Sequence, residues 1–213
     1  MVWLNFDWFN WNAEQGCRHL DGTVKAIYDR AYEQFQRSYA DDLKGAEALD
    51  EVEDADRGSY EDSLKEEFRE QRAALATMTF SLLAKSMTLH MKQLTQWLGK
   101  RFPLNSEVAG KSELDRFVSE YQVRFGIDLE KLPYFATVRE VVLARNSILH
   151  NEGQPTKDYM DQTEARFLDE VRQINLTSEL LGTAITELKE FLAALGRALK
   201  EMAEAREASA SAN

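Results

Sequence analysis

The stretch ARNSILHNEG, Ala144 to Gly153, places Arg145, Asn146 and His150 within six residues. Histidine is the side chain that both accepts and donates a proton near neutrality. Arginine carries a permanent charge on a planar fork of donors that suits phosphate. Asparagine offers a donor and an acceptor, so it orients a ring or a phosphate oxygen. Together they suffice to cleave RNA without a metal: one group activates the ribose 2′-hydroxyl, another holds the charge of the phosphorane, and a proton reaches the leaving oxygen. DNA lacks the 2′-hydroxyl and offers no such route.

An element must position these groups, and the aliphatic run before them predicts a helix. On it Asn146 and His150, four residues apart, share a face, whereas Arg145 and His150 lie about 140° apart around the axis. Convergence then requires the last turn to loosen, or a second chain to contribute. Asn151, Glu152 and Gly153 are residue types that end helices and suit a loosened turn. Arg139, Asn151 and Glu152 are the neighbours placed to contact a substrate; the competing expectations are a surface role for Arg139 and a solvated acid, or a salt bridge to Arg145, for Glu152. The whole trio also has a structural reading, because arginine and histidine oppose the macrodipole at a helix C-terminus.

The rest of the chain reads as helices. Val24, Ile27, Tyr28, Ala31, Phe35 and Tyr39 recur at helical spacing between Leu20 and Leu49, and Leu64 to Leu98 form a second long run through Phe68, Leu75, Met78, Leu82, Leu83, Met87, Leu89, Leu94 and Trp97. Lys111 to Phe125 predict a shorter helix closed by Gly126. Pro133 is expected in the first turn of the helix that carries the trio, with Phe135, Val138, Val141, Val142 and Leu143 as its buried stripe and Gly153 and Pro155 as its stop. Tyr159 to Val171 predict another helical turn or two. Thr177 is a good cap for the last helix, through Leu180, Leu181, Ala184, Ile185, Leu188, Phe191, Leu192 and Leu195. No period-two alternation or fixed-length repeat occurs. The expected fold is an all-α bundle of about five helices: an aromatic segment over 1–19 packing on it, one domain over 20–207, and a frayed tail over 208–213.

Composition narrows the function classes. With 213 residues, 30% charged and 44% hydrophobic, the chain suits one soluble globular domain. The single Cys17 has no partner for a disulfide or a CxxC site, which points to a reducing cytoplasm. No Cys/His pair or HExxH spacing predicts a metal site, and no Gly-rich loop predicts a bound nucleotide cofactor. No apolar run is long enough to span a bilayer. The opening MVWLNFDWFNW lacks the pattern of a signal peptide; Trp3, Trp8 and Trp11 are expected to pack on the domain or a partner. The net charge of −11 is hostile to nucleic acid as a total, but Asp41 to Glu70 alone carry −9, so a local basic site elsewhere remains compatible. His19 and His90 have no comparable polar setting, and His90 is expected to pack within the second long helix.

The segment VVLARNSILHNEG resembles the Arg-x4-6-His motif of the HEPN superfamily, in which a polar residue, often asparagine, follows the arginine. That resemblance implies a helical homodimer in which the motif helices of two chains, here Pro133 to Asn151, meet in one composite cleft. It implies a metal-independent endoribonuclease of the toxin or antiphage-defence kind, with an antitoxin or a defence complex as possible partners. Carried over by position, Arg145 would stabilise the scissile phosphate, His150 would be general acid or base, and Asn146 would position it or the substrate. Glu152 stands where some such toxins carry a tyrosine that their antitoxin modifies, a departure from that subgroup. The alternative is a non-catalytic helical bundle that binds protein or RNA, which the overall acidity and the lack of an extended basic stripe favour.

Overall fold

The protein is an all-α helical bundle, seen here as a computed structural model that describes residues 7–47, 54–101 and 110–211. Trp3 and the side chains of Trp8 and Trp11 lie outside the described residues. Helix α1 (Asp7–His19) continues through a π-helical stretch (Leu20–Lys25) into α2 (Ala26–Glu47), so the expected start at Leu20 falls inside one longer helical run. His19 and Ala26, on either side of that stretch, keep right-handed helical angles. Helix α3 (Asp54–Arg101) is the longest element. Helix α4 (Glu113–Glu120) opens with a capping box between Ser112 and Asp115 and runs on through a π-helical stretch (Tyr121–Phe125) that closes at Gly126, whose φ of 72° suits a residue without Cβ. Helix α5 (Phe135–Asn151) carries the trio, α6 (Lys157–Gln162) follows it, and α7 (Ser178–Ser211) ends the bundle.

One contiguous core joins these helices. Its centre is α7, where Leu181, Ile185, Leu188, Phe191, Leu192, Leu195 and Leu199 are buried, as the helical period requires. Phe191 packs against Phe135 of α5, and Phe80 of α3 meets Phe167 edge-on at 4.9 Å. Tyr28 ties α2 to the segment before α7 by donating to the Leu176 carbonyl at 2.6 Å. Thr177 caps α7 as expected, its hydroxyl accepting from the Leu180 amide.

Three local expectations need correction. Ile27, Met78 and Leu89, counted with the apolar stripes, are 44%, 42% and 49% exposed; on α3, Met78 and Leu89 fall on the side of the axis away from Leu83, Met87 and Leu94. Pro133 is not in the first turn of α5: the helix begins at Phe135 after Tyr134, which takes a left-handed φ of 60°. After Gln162 the chain leaves the helix, and Leu168 and Ile174 form an isolated antiparallel bridge where helical turns up to Val171 were expected.

His90 is buried on α3 beside Gly16 of α1. Burial lowers its pKa from 6.5 to about 4. The unfolded chain therefore binds a proton that the folded chain refuses: stability is full above pH 6.5 and falls as the pH drops towards 4, by about 3 kcal/mol from this group. Urea midpoints across that window should fall in the wild type and fall less in His90→Met.

Candidate functional site

Helix α5 presents two faces of different chemistry. Val138, Val141 and Ala144 are buried, and so, on the same stripe, are Thr137, Glu140 and Ser147. The opposite face carries Arg139, Val142, Leu143, Asn146, Leu149 and His150, of which Leu149 and His150 are exposed and the others half-buried. Asn146 and His150 therefore share the outward face, as their spacing predicts. Arg145 lies to one side, and its Nη1 donates to Asn146 Oδ1 at 3.1 Å. Because arginine only donates, that contact fixes the Asn146 oxygen towards it and leaves the amide NH2 as a donor.

The expected loosening of the last turn does not occur within the trio. The helix stays regular through Asn151, and the left-handed angles begin only at Glu152 (φ 51°) and Gly153 (φ 82°). Buried Ser147 explains why. Its hydroxyl accepts from the Thr156 amide at 3.0 Å and lies 3.1 Å from the Thr156 hydroxyl, which in turn caps α6. The Gly153 carbonyl accepts from the Ile174 amide at 2.8 Å, and Asn151 is spent on the turn, its side chain donating to the Gln154 carbonyl. The end of α5 is thus held from two sides, with Arg145 and His150 about 140° apart around the axis of one chain.

The expected substrate contacts are arranged differently. Arg139 is bonded to Glu130 and lies over the Phe135 ring at 5.3 Å, so its charge is already partnered within the chain. Glu152 is exposed, and among the described residues it forms no ion pair with Arg145. Among those residues no cluster of three or more histidine, cysteine or acidic side chains is set to hold a metal. Cys17 is half-buried and desolvation raises its thiol pKa, which opposes thiolate chemistry.

The strongest polar constellation was not anticipated. Glu140, only 2% exposed, accepts from Arg166 Nε at 2.7 Å, from the Arg166 amide at 2.6 Å and from the Tyr159 hydroxyl at 3.2 Å. The Arg166 guanidinium also reaches Glu187 at 2.9 Å and Thr137 at 3.0 Å, and Thr137 donates to Glu187 at 2.5 Å. Burial, then the adjacent Glu140 carboxylate, pushes the Tyr159 phenol well above its ordinary pKa, so it remains a donor. The network borders a cavity of 570 Å³ lined also by Asp161, Gln162 and Glu164. Glu140 and Glu187 both bond Arg166, and the Thr137 and Tyr159 hydroxyls are bonded, which makes the network a clamp among α5, α7 and the loop after α6. The available signal was an acid at a core position of α5.

Protein-family models, curated proteins and solved structures contain no match to this chain. Among the described residues no helix is long and apolar enough to cross a membrane.

Proposed function

We propose that the chain is a metal-independent endoribonuclease of the HEPN kind, acting as a homodimer through the outward face of α5 in a toxin or antiphage-defence role. The observation that carries this reading is the pairing of Arg145 with Asn146 beside His150 on a solvent-facing helix surface, held firm by Ser147. A regular helix keeps Arg145 and His150 apart in one chain, so two copies of α5 laid face to face supply what one lacks. Val142, Leu143 and Leu149 give that face apolar contact area around the polar groups.

In the composite site His150 of one copy removes the 2′-hydroxyl proton, and the resulting oxygen attacks the adjacent phosphorus. Arg145 holds the developing negative charge, and Asn146 orients it and a phosphate oxygen. The second copy's His150 protonates the departing 5′-oxygen. The products are a 2′,3′-cyclic phosphate and a 5′-hydroxyl end. Incubation of the wild type and His150→Ala with total cellular RNA in EDTA tests the reading: cutting by the wild type alone supports it, and cutting abolished by the chelator contradicts it.

The interface has its own test. Leu149→Glu places charges in the proposed contact, so light scattering should report a dimer for the wild type and a monomer for the variant, with cleavage lost in parallel. A wild type that is monomeric at micromolar concentration would exclude the composite site. The second reading, a non-catalytic binding module, draws on the intramolecular capture of Arg139 by Glu130, which removes one cation from RNA. Motif variants that leave partner binding unchanged, with no cleavage by the wild type, would favour it.

A further inference from the structure

Outward of the bundle core, α2 and the first half of α3 form a pair of their own. Tyr39 stacks on Phe68 at 4.8 Å, and the Arg72 guanidinium carbon stands 5.8 Å from the ring centroid of Tyr32, so the two helices run antiparallel. A two-helix pair has a groove on each side of its seam. One of them is occupied from within the chain: Phe68 and Arg72 line it together with the loop from Leu168 to Thr177, and Arg69 donates to Gln173 at 3.2 Å. The other groove is open.

Ile27, Ala31, Ser38, Asp42 and Gly45 recur on α2 at steps of three, four and seven residues, and Tyr60, Glu67, Gln71, Ala74 and Met78 do so on α3. Each stripe lies on the other side of the seam from Tyr32 and Arg72, which in an antiparallel pair sets both stripes along the open groove. Ile27, Tyr60 and Met78 are 44%, 46% and 42% exposed, so three of the large apolar side chains left in solvent fall on this one groove. Ser38, Gly45 and Ala74 are exposed as well and too small to fill it. A Cβ added at Gly45 would meet nothing within 4 Å.

Charge and shape together select the occupant. Among the described residues Asp42 and Glu67, which line the groove, receive only neutral donors, from Ser38 at 3.5 Å and Gln71 at 3.3 Å, and Glu70 at its border has no ion pair. The neighbouring cations are spent on other acids: Lys44 on Asp41, Lys65 on Asp62 and Arg69 on Glu66. Lys85 stands two turns beyond Met78, past the end of the groove. A second copy would bring the same acids to this face, because Asp41 to Glu70 carry −9, whereas a basic partner is attracted by them. Stripes repeating every seven residues offer the holes into which a further helix packs. From Tyr60 to Met78 the groove runs for about 27 Å, the length of about 18 helical residues.

We propose that the open groove between α2 and α3 binds a basic amphipathic helix of a partner protein, its apolar face on Ile27, Ala74 and Met78 and its cationic side chains on Asp42, Glu67 and Glu70. The site is independent of the Arg145 to His150 reading. Fluorescence anisotropy tests it, with the full chain titrated into labelled peptides of about 18 residues. One carries leucines on one helical face and lysines on the other; the second has glutamates for the lysines, and the third is the first with a central proline. The lysine helix should bind with a Kd below about 100 μM, and the other two at least about tenfold more weakly. Asp42→Lys with Glu67→Lys, and separately Met78→Asp, should each weaken the lysine helix at least about tenfold. Glu179→Lys with Glu190→Lys, an equal charge change at exposed acids of α7, should leave it unaltered. All these positions are exposed, so the variants should keep the thermal midpoint of the wild type. Equal loss in the α7 variant would reduce the effect to bulk charge, and equal binding of the proline peptide would mean an extended ligand. A wild-type dimer that Met78→Asp dissociates would give the groove to a second copy. Each of these results, or no binding at about 1 mM protein, would overturn the proposal.

Discussion

His150→Ala is expected to lower RNA cleavage by at least about 100-fold while leaving the thermal midpoint within experimental error of the wild type. The two halves of this expectation rest on different observations. General acid–base assistance contributes a factor of roughly 10² to 10⁴, and in a composite dimer the substitution removes both the base and the acid at once. Stability should not follow, because His150 is exposed and makes none of the contacts that hold the end of α5. Surface substitutions away from packed features change stability by about 0.5 kcal/mol or less. Initial rates on total RNA, read together with the thermal midpoint, separate the two: loss of activity with unchanged stability assigns chemistry to His150. An unfolded variant would show that the residue is structural, and unchanged cleavage would remove it from the mechanism.

The second large effect concerns stability. Glu140→Ala should reduce the free energy of unfolding by about 3 kcal/mol or more, because truncating one partner of a buried ion pair leaves the other charge without compensation. In this protein the loss is compounded: the Arg166 amide and the Tyr159 hydroxyl lose their acceptor together with the guanidinium. Arg166 keeps Glu187 and is 27% exposed, so partial rehydration limits the damage. Replacing both charges with apolar residues of similar volume, as in Glu140→Met with Arg166→Met, should recover much of the loss. Urea unfolding of the wild type and these two variants measures this directly. A change below about 1 kcal/mol for Glu140→Ala would mean that the clamp adds little beyond packing.

The clamp and the trio together show why α5 is rigid where its function is proposed. Glu140 fastens the middle of the helix to the loop after α6, and Arg166 carries the connection on to α7. Ser147 and Gly153 fasten its end. A helix held on its inner face offers its outer face without deformation, which is what a positioned acid–base pair requires.

Much of this was legible in the sequence. The all-α class follows from helical periodicity, few prolines and the absence of alternation, and the caps at Thr177 and Gly126 follow from residue chemistry at element ends. The shared face of Asn146 and His150 is likewise a property of spacing along one helix. Other features were not legible. A Pro133 that suits a first turn gives way to a turn ending in a left-handed Tyr134, because where the helix starts depends on how the preceding segment packs. Met78 and Leu89 are apolar yet outward, since composition does not state which side of a 48-residue helix meets the core.

The sequence by itself determined the local order: which stretches coil, which residues share a helix face, and that Arg145, Asn146 and His150 stand together near a helix end. Tertiary structure alone decided which charges meet between elements. Arg166 finds Glu140 and Glu187 across 26 and 21 residues, and Arg72 stands near the rings of Tyr32 and Phe68 with no ion pair among the described residues. The physical reason is range. Helical hydrogen bonds act over four residues and leave their period in the sequence, whereas a buried ion pair depends on the mutual placement of whole helices, which no local pattern records.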